Sequence, residues 1–241
     1  MILFRIVGWF VGVVFISLIT VKGYTPLGSE DYWKSPNDHF IHNAGLYEKD
    51  NYSVSGKLSV EDFGLVKKYS SEYGIDHRLI LAIIAQESQF DVSASSRRGA
   101  VGLMQLMPLT SAEIAEDLEF DEPHPVAGNI QSGVYYFAKL FQLFNNTRLD
   151  DHLRLTLAAY NAGPSRIYDA QELAAYMGEN PNDWNSIERI LPLLSKRYYS
   201  LHRAVWNDGR PRSGYFGSSR ETVSYVENTM KIYRDILKTN S

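Results

Sequence analysis

From Val60 onward, apolar residues recur at helical spacing, and glycines and prolines divide the pattern into segments. Val60 to Tyr73 sets Phe63, Val66, Tyr69 and Tyr73 against Lys67, Lys68 and Glu72, with Gly74 as its stop. A second helix opens after Asp76, a suitable N-cap, and carries Ile80, Ile83, Ile84 and Glu87 on one narrow arc. Thr110 with Glu113 has the form of a capping box for a short helix, and Pro123 and Pro125 break the chain after it. Gly128 to Asn145 is the cleanest amphipathic segment, with Ile130, Val134, Phe137, Phe141 and Phe144 on one face. Asp151 to Tyr160 follows with Leu153, Leu157 and Tyr160 inward, and Asn161-Ala-Gly163-Pro164 stops it. Ser165 to Ser219 is the least regular part. Helices are predicted there near Tyr168–Met177 and over Trp184–Ser195, the second interrupted by Pro192, before a loop rich in Arg, Gly, Tyr and Trp. Arg220 to Leu237 reads as a closing helix, apolar over a wide arc. No strand-period segment runs longer than a few residues, so the expected fold is mostly α.

Two stretches ahead of Val60 lack this pattern. Met1 to Val21 is apolar apart from Arg5, Ser17, Thr20 and small glycines, and Lys22 follows. Residues 1–22 are therefore expected to be a signal peptide or an N-terminal membrane anchor, and either one sends the rest of the chain out of the cytoplasm. Residues 23–56 mix Gly, Pro, Ser, Asn, Asp and His without a period and read as a linker or irregular arm. His39 and His42 in that arm have no third ligand beside them and read as solvated, so no metal is expected. Residues 57–241 make up the folded domain, long enough for one sizeable core.

Composition narrows the chemistry. The formal net charge of −4 gives no reason to expect nucleic acid as a partner. With no cysteine, this sequence has no disulfide, thiol nucleophile, cysteine zinc site or cysteine-linked lipid anchor. Aromatics at 13% suit both a ring-packed helical core and a sugar-binding groove, and Trp184, Tyr198, Tyr199, Trp206, Tyr215 and Phe216 are candidate stacking faces.

The chemistry centres on Ala82 to Pro108. Glu87 shares the apolar arc of its helix, where partial desolvation disfavours the charged carboxylate and raises its pKa. A carboxylic acid that keeps its proton near neutral pH is a general acid. Beyond the small-residue loop Ser93–Ser96, Gly99 and Gly102 let backbone approach either a ligand or another helix.

These residues carry a family resemblance. Glu87-Ser88, Ser96-x-x-Gly99-Ala100 and Gly102-Leu-Met-Gln-Leu-Met-Pro108 resemble the signature of the lytic transglycosylases with the lysozyme-like fold. Ala159-Tyr-Asn-Ala-Gly163 matches the next signature of that family, and Glu221-Thr222-x-x-Tyr225-Val226 the last. The likeness covers roughly Leu58 to Lys238, with the motifs in family order. Leu191-Pro-Leu-Leu-Ser-Lys-Arg-Tyr-Tyr199 and Gly214-Tyr-Phe-Gly217 are most similar to the membrane-bound lytic transglycosylase F subgroup. That subgroup usually has a solute-binding-like domain ahead of its catalytic one, for which this chain is expected to have no room.

The resemblance implies a goose-type-lysozyme or SLT-type helical domain that cleaves the MurNAc–GlcNAc bond of peptidoglycan and leaves a 1,6-anhydromuramyl product. Glu87 serves in turn as acid and base, and the substrate's own N-acetyl group assists, so no second carboxylate and no cofactor is needed. By the same resemblance, Tyr160 and Tyr225 line the site and Ser96, Met104, Gln105 and Asn161 contact substrate. Ser88 holds the local backbone or orients the carboxyl. Asn161 also has a plain reading as a helix cap, and Arg97-Arg98 reads either as a contact for anionic substrate groups or as a solvated loop. The expected partner is the peptidoglycan glycan strand, met by a monomer in the periplasm or cell envelope, with membrane association if residues 1–22 are retained. Two alternatives stand beside this: a lysozyme-like hydrolase, which requires a second carboxylate or a positioned water, and a non-catalytic wall-binding protein. Asp91 and Glu113 are the candidate carboxylates near Glu87 in sequence, and both read as surface or capping groups.

Overall fold

The computed structural model describes residues 58–118, 125–145 and 147–239. The predicted targeting segment, the arm and its two histidines lie outside the described residues.

Helix α1 spans Val60–Glu72. A capping box starts it: Asp62 N donates to Ser59 Oγ and Ser59 N to the Asp62 carboxylate, both at 3.1 Å. Gly74, at φ +67°, turns the chain into α2, His77–Ser88. Asp76 caps α2 as predicted, accepting from Arg78 N at 2.9 Å. The narrow apolar arc understates this helix: Leu79, Leu81 and Ala82 are as buried as Ile80, Ile83 and Ile84. Helix α2 runs through the core and packs on α1 and on the closing helix α9, Ser219–Thr239. A stretch enclosed on all sides needs no polar face, which is why Leu79 to Ile84 is continuously apolar.

Asp76 also sets the register of that central pair. Buried at 4% exposure, it pairs with Arg78 at 2.8 Å and accepts the Tyr233 hydroxyl of α9 at 2.7 Å. The far ends of the same two helices carry Glu87 and Tyr225.

Helix α3 spans Pro108–Asp117, so Thr110 is inside it, and Met107 is an N-cap with no side-chain bond. Pro108 replaces the predicted capping box, since its missing N–H and fixed φ suit the first helical position. The same reason shifts α4, Pro125–Leu143, where a proline expected to break the chain stands first in the helix. Helix α5, Leu149–Ala162, runs through Asn161 and stops at Gly163. With φ +90°, Gly163 turns the chain in a single residue, and Pro164 opens α6, Pro164–Tyr176, one turn before the helix predicted near Tyr168–Met177. Trp184–Ile190 forms α7 and passes into a 3-10 turn at Leu191–Leu194 around Pro192. Tyr199–Val205 forms a short helix, α8, that sequence reading assigned to loop. His202 is its one buried residue, too little apolar surface to register as a period.

No strand occurs among the described residues, only isolated bridges joining Val101 to Ser95 and to Leu106. Trp184, Trp206 and Phe216 belong to the core and offer no stacking face, whereas Tyr198, Tyr199 and Tyr215 are exposed.

Candidate active site

Glu87 occupies the last turn of α2, and the chain leaves it through consecutive left-handed residues, Gln89 at φ 53° and Phe90 at φ 66°. This abrupt exit turns the chain out of α2 into the loop 91–106. Glu87 is half-buried, and desolvation pushes its pKa from 4.5 up to about 7, against a smaller pull downward from the Tyr225 hydroxyl. The Tyr225 hydroxyl is buried and makes no hydrogen bond of ordinary geometry within the described residues. Tyr160, from α5, donates to the main-chain carbonyl of Met104 at 2.7 Å. Burial, with the charge on Glu87, holds both phenols well above their usual range, so each remains a hydrogen-bond donor wherever the enzyme folds. Tyr160 packs between Tyr136 and Phe137 of α4, with ring centroids at 5.6 and 6.1 Å.

The loop after α2 is built from its own hydrogen bonds and from a few made by α4 and α5. Ser96 Oγ accepts from Ala100 N at 3.0 Å, and Gly99 N donates to Ser96 O at 3.0 Å. Gly99 has φ +87° and nothing near its missing Cβ, so it serves the turn itself and leaves Arg97 and Arg98 exposed at the corner. Gly102 serves differently: a Cβ there would lie 2.6 Å from the Asn129 amide carbon of α4. Of the two readings of Gly102, close approach to a helix is the one realised. Asn129 Nδ2 donates to Val101 O at 3.0 Å, and its Oδ1 accepts from Met104 N at 2.9 Å.

Gln105 adopts φ 47°, an unusual conformation for a residue with a side chain. Its own amide offsets the strain, donating to Ala94 O at 3.0 Å and Gly102 O at 2.8 Å. That leaves Oε1 to accept from a bound hydroxyl or N–H. The Met104 side chain is fully buried and sits against Gly133, where an added Cβ would lie 2.3 Å from its sulfur. What Met104 presents at the site is its carbonyl, already taken by Tyr160. Ser96 is exposed in its turn. Asn161 is exposed in the last turn of α5, and its Oδ1 accepts from the buried Thr222 hydroxyl of α9 at 2.8 Å. Accepting there orients the Asn161 amide so that its NH2 is the outward group. Ser88 Oγ donates to Ile84 O at 3.1 Å, so it holds its own helix and does not touch the carboxyl.

Thus Glu87 interacts with Tyr225 and Tyr160, and Tyr160 with the Met104 carbonyl next to Gln105 in the loop, while Ser88 bonds its own helix and Ser96 stands in the exposed turn. Sequence reasoning missed Asn129, Tyr136 and the tie from Thr222. Asn129 carries no signal beyond Gly102, whose need for close approach pointed to an unnamed neighbour. The nearby carboxylates have other engagements. Asp91 is held low by its bonds to Ser93, and Glu113 acts on Tyr136. No cluster of metal-ligating residues occurs among the described residues. A separate cavity of about 540 Å³ between α6 and the loop after α8 is lined by Glu172, Trp206, Arg210 and Arg212, none of them from the site. Its Glu172 is bound to Trp206 Nε1 and Arg212, both at 2.9 Å.

The chain is similar to known proteins in sequence and in fold. The model of the transglycosylase SLT domain matches residues 64–181. The membrane-bound lytic murein transglycosylase F of Desulfosudis oleivorans is 39% identical over 72% of this chain and 36% of its own length. A namesake from Alkalilimnicola ehrlichii is 35% identical over 70% of this chain and 32% of its own. The chain therefore spans about a third of the length of these curated relatives. Among solved structures, the 70 kDa soluble lytic transglycosylase of Escherichia coli superposes with a TM-score of 0.50 at 25% identity, over 76% of this chain and 25% of that one. The helical fold is of that lysozyme-like type.

Proposed function

We propose, from the match of residues 64–181 to the transglycosylase SLT domain, that the protein is a murein lytic transglycosylase with Glu87 as its single acid and base. The observation that carries this reading is the Glu87 carboxyl at the end of α2, lifted to about 7 by desolvation against the pull of the Tyr225 hydroxyl, with no carboxylate among the groups that shift it.

The protonated carboxyl gives its proton to the glycosidic oxygen of the leaving GlcNAc as the bond from that oxygen to MurNAc C1 breaks. The substrate's acetamido group stabilises the positive charge developing at C1, a recognised exception to the two-carboxylate rule. Asn161 NH2 and Gln105 Oε1 are suited to hold that acetamido group or a neighbouring hydroxyl. Glu87, now ionised, takes the proton from the C6 hydroxyl while its oxygen bonds to C1. The 1,6-anhydro ring closes and the acid is restored, with no water consumed. Attack within one sugar ring profits from high effective concentration, provided the ring is held in the reactive geometry. The Tyr225 hydroxyl, which already pulls the Glu87 carboxyl toward ionisation, is placed to stabilise its charged form midway.

The two relatives' names describe membrane-bound enzymes, which supports a place in the cell envelope, with residues 1–22 as export signal or anchor and residues 23–56 as the arm. In the described residues, no helix is long and apolar enough to cross a membrane. Whether the product is an anhydro sugar is read by mass spectrometry of muropeptides released from purified peptidoglycan by the full-length chain. Products lighter by one water than reducing-end sugars are expected. Reducing-end products would make this a hydrolase.

A further inference from the structure

Asn129 stands one turn into α4, outside every signature in the sequence, and spends its whole amide on the loop of the active site. It donates to Val101 O and accepts from Met104 N, at 3.0 and 2.9 Å. Gly102 passes so close over the amide plane that no side chain fits there. On the other side of the same turn, the Met104 carbonyl accepts the Tyr160 hydroxyl. The Met104 side chain is locked against Gly133, so the turn is fixed at both ends.

We propose that Asn129 is a positioning residue for the Glu87 chemistry. By bracing the turn from Val101 to Gln105 it holds the Met104 carbonyl as acceptor of the Tyr160 hydroxyl, and so keeps that hydroxyl from turning onto the Glu87 carboxyl. The inference rests on Glu87 being the acid.

A phenol donates one hydrogen bond. While Met104 receives it, the ionised form of Glu87 goes without it. Withdrawal of that acceptor leaves the carboxyl as the alternative, since the charge of Glu87 already reaches Tyr160. A hydrogen bond to the charged form lowers the pKa of the acid and discharges it at the pH of function. The titratable groups around Glu87 are Tyr160 of α5 and Tyr225 of α9. Tyr136 of α4 lies beyond Tyr160, and Glu113 of α3 acts on Tyr136. Among these, Tyr160 alone takes its position from the braced turn.

The test compares full-length wild type, Asn129→Ala, Tyr160→Phe and the double variant. The Glu87 carboxyl is titrated directly by carbon NMR, and kcat and KM on purified peptidoglycan are followed against pH. Asn129→Ala is expected to lower the Glu87 midpoint by about one unit, through a new hydrogen bond to the carboxylate. The same variant should lose roughly tenfold in kcat with KM little changed, the mark of a misplaced catalytic group. In the Tyr160→Phe background, Asn129→Ala should leave the midpoint where it is. A loss of folded protein with an unmoved midpoint makes Asn129 merely structural and overturns the proposal, as does a shift that persists without the Tyr160 hydroxyl. If Asn129→Ala does not fold, Asn129→Ser, too short to span both partners, is read in its place by the same criteria. Full turnover by Glu87→Gln would remove the reading of Glu87 and this proposal together. An unmoved midpoint with Glu87→Gln inactive removes only the proposal.

Discussion

The Tyr233 hydroxyl donates to the buried Asp76 carboxylate at 2.7 Å, at the opposite end of α2 from Glu87. Because α2 and α9 pack along each other, this bond fixes their axial register, and with it the meeting of Glu87 and Tyr225. Removing it by Tyr233→Phe leaves Asp76 with its Arg78 partner but one bond short. A hydrogen bond to a charged group contributes about 1.5–3 kcal/mol, and the remaining partners place the expected loss near the lower end. Thermal unfolding should shift down by a few degrees, on the order of 2–4 °C per kcal/mol for a domain this size. Unchanged unfolding would mean that the register is set by apolar packing alone.

The raised pKa of Glu87 has a stability consequence with a definite sign. In the unfolded chain the carboxyl ionises near 4.5, and in the folded protein near 7. Between those values the folded state holds a proton that the unfolded state has lost, so folding weakens as pH rises through that window and levels off above it. Glu87→Gln cannot ionise. Its stability relative to wild type should therefore grow between about pH 4.5 and 7 and then remain constant. Chemical denaturation of both proteins across that range checks it, and a flat difference would show Glu87 to be an ordinary solvated carboxylate.

Thr222→Val replaces a buried hydroxyl that orients the Asn161 amide. The apolar isostere keeps the packing of α9 on α5, so the stability cost should stay near 1 kcal/mol, the net value of one hydrogen bond. The freed amide can flip, and kcat/KM on peptidoglycan is expected to fall several-fold to about tenfold, as loss of orientation predicts. Full activity would make the bond a helix tie without bearing on substrate.

Met104→Ala tests where that side chain acts. Fully buried against Gly133, it should cost about 2–5 kcal/mol of stability, as large-to-small core changes do. A loss of substrate affinity with stability intact would return Met104 to the groove surface.

The helical architecture was legible because apolar spacing reports burial directly, and the positions of α1, α2, α5 and α9 follow from it. Pro108, Pro125 and Pro164 misled the boundaries. Proline both ends and begins helices, and only the backbone around it decides which. That Glu87, Tyr160 and Tyr225 meet in the fold was legible only through the signatures they stand in. The apolar arc pointed to Glu87 by a weak argument, since every residue from Leu79 to Ile84 is buried whichever way it faces. Asn129 and Thr222 were hidden because their work is done across the fold, on a carbonyl and an amide far away in sequence. A side chain's partner at long range leaves no periodicity.

The most direct measurement is the yield and mass of muropeptides that full-length wild type and Glu87→Gln release from purified peptidoglycan, with the folded fraction of each matched by circular dichroism. The account predicts anhydro products from wild type and nearly none from the variant, because an amide cannot donate a proton as an acid does. Substantial anhydro product from folded Glu87→Gln would contradict it and place the acid elsewhere.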